Sequence, residues 1–153
     1  MVGARDLQID EETKSTPALR EIFRVTIDPA HWSVRREPLD DAVIVVLDTF
    51  HDSRSGYFFG TNLLGTQSDG RITDNGRVVE TTWDATWLSA AERFEGGWTA
   101  EMSIPLVHLR FRPGDEMTWG LNVARTCRRI LETSFWAGPL EARFRISQYG
   151  TLS

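Results

Sequence analysis

Residues 97–105 read GWTAEMSIP, and their apolar and polar side chains alternate. The apolar side chains share one parity: Trp98, Ala100, Met102 and Ile104. The polar side chains share the other: Thr99, Glu101 and Ser103. A period of two is typical of a β-strand with one face on a core and the other toward solvent or a ligand. Pro105 cannot donate to a strand ladder, so the strand is expected to end there.

A second stretch, residues 42–47 with the sequence AVIVVL, is apolar on both parities. That pattern is typical of a central strand that is covered on both faces. Residues 48–55 are polar and predict a turn, after which a return strand runs from Gly56 through Leu64. Further on, Asn75-Gly76 supplies the positive φ angles of a tight hairpin turn.

The alternation resumes in residues 118–128, where Trp119, Leu121 and Val123 share the parity expected to face the core. Two short extended pieces are predicted at 135–136 and 144–146. Short strands separated by Gly- and Asp-rich turns predict an all-β fold, an antiparallel β-sandwich of the immunoglobulin-like or jelly-roll type. A doubly wound fold would need helical periods between the strands, and the sequence does not show them.

The first 35 residues read differently from the rest. Thr16 and Pro17 form a helix start, with Thr16 as N-cap, for a short helix that continues through Leu19 to Phe23. We therefore predict an N-terminal extension over residues 1–35, with a short helical segment, and a β-sandwich domain over residues 36–153.

The composition of the 153 residues fits one globular domain. A formal net charge of −5 argues against a nucleic-acid partner, because binding to phosphates needs a basic field. Cys127 is the only cysteine, so an intrachain disulfide and a thiolate zinc site are excluded. The sequence has neither an apolar run of membrane-spanning length nor a secretory segment at its start, and we expect a soluble chain.

The chain resembles family 9 carbohydrate-binding modules, and more narrowly the family-9-like domain that begins a group of bacterial cell-envelope proteins. The resemblance covers about residues 40–152 and rests on a series of short stretches in the same order and spacing. They are DDAVIVVLDTFHD (40–52), GYFF (56–59), NLLG (62–65), WD (83–84), Trp87, GWTAE (97–101), IP (104–105), TWGLN (118–122), Arg125, Trp136 and YGTL (149–152). The family normally opens with strands of its own, and residues 1–33 do not show that pattern.

The resemblance implies a β-sandwich that binds xylan, cellulose or short sugars and that carries structural calcium. It also implies an exported or cell-envelope origin and the place of the sugar-stacking ring, which falls on Trp136. Arg125 and Asn122 are the polar candidates, and Asn62 and Tyr57 complete the predicted sugar site. Sugar binding needs flat aromatic faces and fixed hydrogen-bonding groups. A core tryptophan and a solvated strand face are the alternative interpretations of these residues.

Four aspartates in predicted turns are the candidate calcium ligands: Asp48, Asp52, Asp69 and Asp74. Their hard oxygen atoms suit calcium, but aspartates also form turns without any metal. A water-activating site at His51 and Asp52 is the first catalytic candidate. Glu101, paired with Asp84 or Glu80, is the second, because two carboxylates can cleave a glycosidic bond.

Three functions follow from these candidates. The first is a carbohydrate-binding module without bond-breaking chemistry of its own. The second is a small calcium-dependent hydrolase of lactones or glycans, built around His51. The third is a protein-interaction module whose exposed edge strands pair with a partner or with a second copy of the chain. The fold alone cannot choose among them.

Overall fold

The structure, a computed structural model, describes residues 7–9, 22–27, 41–95, 97–114, 117–127, 132–138 and 140–153, with the backbone alone for the first two ranges. These residues form eleven strands. In chain order they are β1 (Leu7–Ile9), β2 (Ile22–Ile27), β3 (Ala42–Asp48), β4 (Gly56–Asn62), β5 (Gln67–Thr73), β6 (Val78–Glu80), β7 (Leu88–Phe94), β8 (Gly97–Pro105), β9 (Trp119–Cys127), β10 (Glu132–Phe135) and β11 (Gly150–Leu152).

The described strands belong to two sheets. The smaller sheet has the order β1-β2-β8-β7. The larger has the order β10-β9-β3-β4-β5-β6, and β11 also pairs with β9. Each strand pair in these residues is antiparallel. The predicted all-β, antiparallel sandwich is therefore confirmed.

The alternation in residues 97–105 decides how β8 faces the core. Its apolar parity, from Trp98 to Ile104, is buried, whereas Glu101 on the other parity is exposed. On β9 the parity of Trp119, Leu121 and Val123 is likewise buried in the same cluster. That cluster, which we call the inner core, also holds Val43, Val45 and Leu47 of β3 and Tyr57 and Phe59 of β4.

The larger sheet is covered on its other face as well. Ile44 and Val46 of β3 are buried there with Phe58 and Ile72. Ile146 covers them, and the partly buried rings of Phe135, Phe144 and Tyr149 pack against the same cluster, which we call the outer core. The prediction that residues 42–47 form a central strand covered on both faces is confirmed.

Two predictions about local structure were wrong. Ile22 and Phe23, predicted to lie in a helix, are in β2, which pairs with β8 over six residues. The start of that helix at Thr16 and Pro17 lies outside the described residues. Pairing with a strand neighbour outweighs a local capping signal. The extended piece predicted at 144–146 is instead a turn that leads into a 3₁₀ turn, Ile146–Gln148.

The segment before residue 36 thus contributes β1 and β2 to the smaller sheet. Two strands occupy the part of the chain in which the opening strands of the resembled family were not recognisable from the sequence. Residues 28–40 lie outside the described residues, so the predicted boundary after residue 35 stays a prediction.

The hairpin between β5 and β6 shows why Asn75-Gly76 is a turn signal. Asp74, Asn75 and Gly76 all have positive φ, and Thr73 pairs with Val78 across the turn. A Cβ atom on Gly76 would lie 2.1 Å from the Phe144 carbonyl oxygen, so glycine is required there for space as well as for φ.

Candidate functional site

Arg125 lies on β9, and Trp136 directly follows β10, the neighbouring strand of the larger sheet. Arg125 pairs with Ser134, and the Trp136 amide donates to the Val123 carbonyl at 2.8 Å. Side chains two residues apart on a strand share a face, so 123, 125, 134 and 136 all face inward. Trp136 and Arg125 are then diagonal neighbours, with Cα atoms roughly 7–8 Å apart. The backbone pairing therefore brings the side chains of Trp136 and Arg125 to the same face of the sheet.

The indole of Trp136 lies over Gly150, the first residue of β11. A Cβ atom on Gly150 would be 2.5 Å from Cζ3 of the Trp136 ring. The ring is half-buried and packs against the inner core. It is thus positioned by a glycine below it and by its own backbone bond to β9, and part of its surface remains open to solvent.

Arg125 is buried, with 6% of its surface exposed. Its position on the inner parity of β9 is the one predicted from the sequence. Asp41, the residue before β3, is also buried at this end of the sheet. Buried charges are retained in folded proteins where partners compensate their desolvation. This end of the inner core is therefore polar, in contrast to its aromatic centre.

Asn122 was predicted as a sugar ligand, but its amide is engaged by the protein backbone. Its Oδ1 accepts from the amides of Val123 and Ala137, each at 2.9 Å, and its Nδ2 donates to the Ala137 carbonyl at 2.9 Å. Asn122 pairs with Val46 and thus lies on the outer face, opposite to Arg125. In the structure, Asn122 fixes the backbone of Ala137, directly after Trp136.

Asn62 and Tyr57 lie on β4, which is two strands away from β9. Asn62 Oδ1 accepts from the amides of Leu64 and Thr66, so it stabilises the turn after β4. Tyr57 is buried in the inner core, and its hydroxyl accepts from the Arg110 amide at 3.2 Å. The structure brings neither residue to Trp136, and their role in sugar binding stays a prediction.

Two of the predicted calcium ligands organise the loop between β3 and β4. The buried Asp48 carboxylate accepts from the amides of Asp52 and Ser53. Asp52 accepts from the amides of Arg54 and Ser55 and from the Ser55 hydroxyl. Partial burial by itself would raise the pKa of Asp52, but these hydrogen bonds, together with the Arg54 charge, hold that pKa below its ordinary value.

The other two predicted ligands lie elsewhere on the larger sheet. Asp69 accepts from Trp87 Nε1 at 2.9 Å and from the Ala85 amide. Asp74 lies in the turn before β6, next to the Arg77 guanidinium at 3.5 Å. Within the described residues, no three His, Cys, Asp or Glu side chains are grouped so that they could hold a metal ion. Calcium binding stays a prediction.

His51 lines a pocket at the end of the larger sheet. The pocket has a volume of about 310 Å³ and lies between the loop after β3 and the residues before β9. Its walls include Phe50, Arg112, Met117 and Thr118. From the sequence, Arg112 was identified only as part of a loop. The pocket itself was not predicted, because residues 50 and 112 are far apart in the chain and only the fold brings them together.

The remaining catalytic candidate is on the other sheet. Glu101 is exposed on β8, whereas His51 and Asp52 are in the loop between β3 and β4. Asp52 and Asp48 both use their carboxylates for backbone amides of that same loop. In the described part of the chain, the His51 imidazole makes no hydrogen bond that would orient it as a base.

A comparison with known proteins finds a likeness to solved structures. No family model and no curated protein matches the chain. A solved structure from Bacteroides uniformis, described as a "putative carbohydrate-binding protein", superposes with a TM-score of 0.56 over 85% of this chain and 71% of that one, at 17% identity. At that identity the likeness shows the fold alone.

The described residues contain no helix that is long and apolar enough to cross a bilayer.

Proposed function

We propose that this chain is a carbohydrate-binding domain of the family-9-like type and that Trp136 and Arg125 form its sugar site. The carrying observation is that Arg125 on β9 and Trp136, directly after the adjacent β10, are on one face of the sheet, with the indole partly open to solvent. A pyranose ring has an apolar face that stacks on an aromatic ring and hydroxyls that accept from a guanidinium. The name of the structural neighbour supports the same function.

Asn122 has a positioning role in this proposal. Its amide holds both backbone groups of Ala137, the residue after Trp136. Because Trp136 is also bonded through its own amide to Val123, the segment is fixed on both sides of the ring. Asn122 supports the sugar site without touching the sugar. A preorganised ring loses little entropy on binding.

The first test is calorimetry with xylo- and cello-oligosaccharides. We expect measurable heat for the unchanged chain and its loss in Trp136→Leu, which keeps apolar packing but removes the flat ring. Phe94→Ala, a change of an exposed aromatic residue on β7, is the control and should bind normally. A flat trace for the unchanged chain with the whole oligosaccharide panel would contradict the proposal.

A second test moves the ring without removing it. Gly150→Ala places a methyl group within 2.5 Å of the indole, so the ring must shift. We expect binding about tenfold weaker, comparable to the loss of one good contact. Gly138→Ala is the matched control, because a Cβ atom there meets only ordinary contacts at 3.4 Å. Equal affinities of the two variants would exclude the indole as the stacking ring.

A second candidate function is self-association through β6. This strand is at the edge of the larger sheet, and Val78 and Val79 are both exposed on it. Exposed edge strands can pair with another copy, although a strand of only three residues offers few hydrogen bonds. Sedimentation should show a mass that rises with protein concentration. Val78→Lys should return the mass to that of the monomer. A monomer at every concentration would exclude self-association through β6.

A further inference from the structure

The pocket beside His51 is separate from the Trp136 edge and has a chemistry of its own. Apolar surface comes from Phe50, Met117 and the buried Trp119, and positive or donor groups come from Arg112 and His51. The described lining residues include no carboxylate. Asp115 and Glu116 follow in the same loop but lie outside the described residues. The pocket lining thus combines apolar side chains with the Arg112 guanidinium.

The loop that carries His51 is held in an unusual backbone conformation. His51 and Ser53 have φ angles of 49° and 58°, in the left-handed region that residues with a Cβ atom rarely adopt. Such strain persists only where the surrounding structure holds it in place. Here the buried Asp48 carboxylate holds two amides of the loop, and the His51 amide donates to the Asp48 carbonyl at 3.2 Å.

A strained, well-held loop at a pocket is typical of a preformed binding site. The volume of about 310 Å³ is at the lower end of the range for small-molecule sites, roughly 300–1,000 Å³. It suits one ring rather than an extended chain. A guanidinium in the lining favours a carboxylate, because its fork of donors matches two carboxylate oxygens.

The geometry points to a second binding site, for a ring that carries a carboxylate, namely a hexuronic acid. The carboxylate pairs with Arg112, and the apolar face of the sugar ring packs on Phe50 and Met117. The carboxylate and the apolar ring face are inferred from the residues that line the pocket, Arg112 on the one hand and Phe50 and Met117 on the other. The choice of a sugar acid rests on the proposed carbohydrate-binding function.

The test is a titration of the whole chain with glucuronate, followed by amide NMR shifts of Met117 and Thr118 and by calorimetry. Glucose serves as the neutral ring and benzoate as a carboxylate on a ring that is not a sugar. We expect glucuronate to bind and glucose to bind at least tenfold more weakly. Arg112→Gln should weaken glucuronate binding about tenfold or more, which corresponds to one lost charged hydrogen bond.

Two further variants keep the result interpretable. Arg77→Gln makes the same change of charge at a residue of the β5–β6 turn that does not line the pocket, and it should leave glucuronate binding unchanged. Thr118→Trp fills the pocket from an exposed position and should abolish binding without disturbing the core. Trp136→Leu should not affect glucuronate binding, so failure of this site and failure of the Trp136 site can be told apart.

The inference is overturned by any of three results. The first is equal binding of glucose and glucuronate, and the second is binding of benzoate alone. The third is glucuronate binding that survives both Arg112→Gln and Thr118→Trp.

Discussion

The two faces of the larger sheet are covered in different ways. On the inner face a second sheet brings Trp98 and Met102 onto β3 and β9, so two regular layers form the walls of the core. On the outer face the 3₁₀ turn and its neighbouring residues place Ile146 and Phe144 over Ile44 and Val46. Both faces exclude water from β3, but only one is closed by a hydrogen-bonded layer.

The difference bears on stability. When a buried group is removed, the cost includes a cavity term that falls as the surroundings relax. Strands locked by pairing on both sides can relax little, whereas a short turn with half-buried rings can move inward. We therefore expect equal changes to cost more on the inner face than on the outer face.

The largest effect is expected at Phe59, whose ring is fully buried in the inner core and contacts Trp87 and Trp83. Phe59→Ala should reduce the free energy of unfolding by about 3–5 kcal/mol. Urea denaturation measures it. Phe144→Ala on the outer face is the comparison, because Phe144 is only half-buried. An equal or larger loss at Phe144 would contradict the proposed difference between the faces.

A matched pair tests the same difference within one strand. Val45 and Val46 are adjacent on β3, are exposed by 0% and 1%, and point into the inner and the outer core respectively. We expect Val45→Ala to cost about 2–3 kcal/mol and Val46→Ala about 1–2 kcal/mol. Denaturation midpoints with unchanged m values would give both numbers. The reverse order would show that the outer turn is the more rigid wall.

Tyr149 gives the outer face a response to alkaline pH. Burial, and then the negative charge of Asp48, raise the pKa of Tyr149 above its ordinary value. Because this pKa is raised, the contribution of Tyr149 to the free energy of unfolding is complete below about pH 10, the ordinary pKa of tyrosine. It is lost as pH rises toward the pKa of Tyr149 in the folded chain. At alkaline pH, Tyr149→Phe should therefore lose less of its free energy of unfolding than the unchanged chain does, by about 1 kcal/mol.

Absorbance of tyrosinate measures the titration directly in the folded chain. Tyr57, the other tyrosine, serves as the internal reference through Tyr57→Phe. Ionisation of Tyr149 in the folded chain near pH 10 would contradict its placement beside Asp48.

The smallest effect is expected at Asp52. The pKa of Asp52 is held below its ordinary value. The contribution of its carboxylate to the free energy of unfolding is therefore present above about pH 4 and is lost as pH falls through the pKa in the folded chain. Because the side chain is exposed, the difference between the unchanged chain and Asp52→Asn should stay below about 1 kcal/mol. Thermal melts from pH 2 to 7 measure it, with Asp84→Asn as control. If Asp52→Asn and the unchanged chain lost the same stability at acid pH, that loss would belong to other carboxylates.

Much of the fold was readable from local pattern. The alternation in residues 97–105 and the apolar run in residues 42–47 predict β8 and β3 with their correct faces. The N-terminal strand β2 was missed because Thr16-Pro17 is a genuine helix-start signal, while the strand is stabilised by its long-range pairing with β8. Local signals cannot report a partner that is about 80 residues away.

The roles of the candidate site residues are harder to read from the sequence. Asn122, Asp48 and Asp69 are residue types that bind ligands, but each gives its side-chain oxygens to the protein's own N–H groups. Composition cannot distinguish these uses, because a buried acceptor satisfies a backbone amide as readily as a sugar or a metal. The pocket was not foreseen for a similar reason, since its walls come from segments that the sequence separates.

The sequence by itself determined that β3, β8 and β9 are extended and which of their side chains are apolar, because a period of two is a local property of the backbone. Only the tertiary structure decided which strands pair, what covers the second face of β3, and which polar side chains remain available. Those outcomes depend on contacts between distant segments, and the free energy of burial is gained only when the segments meet.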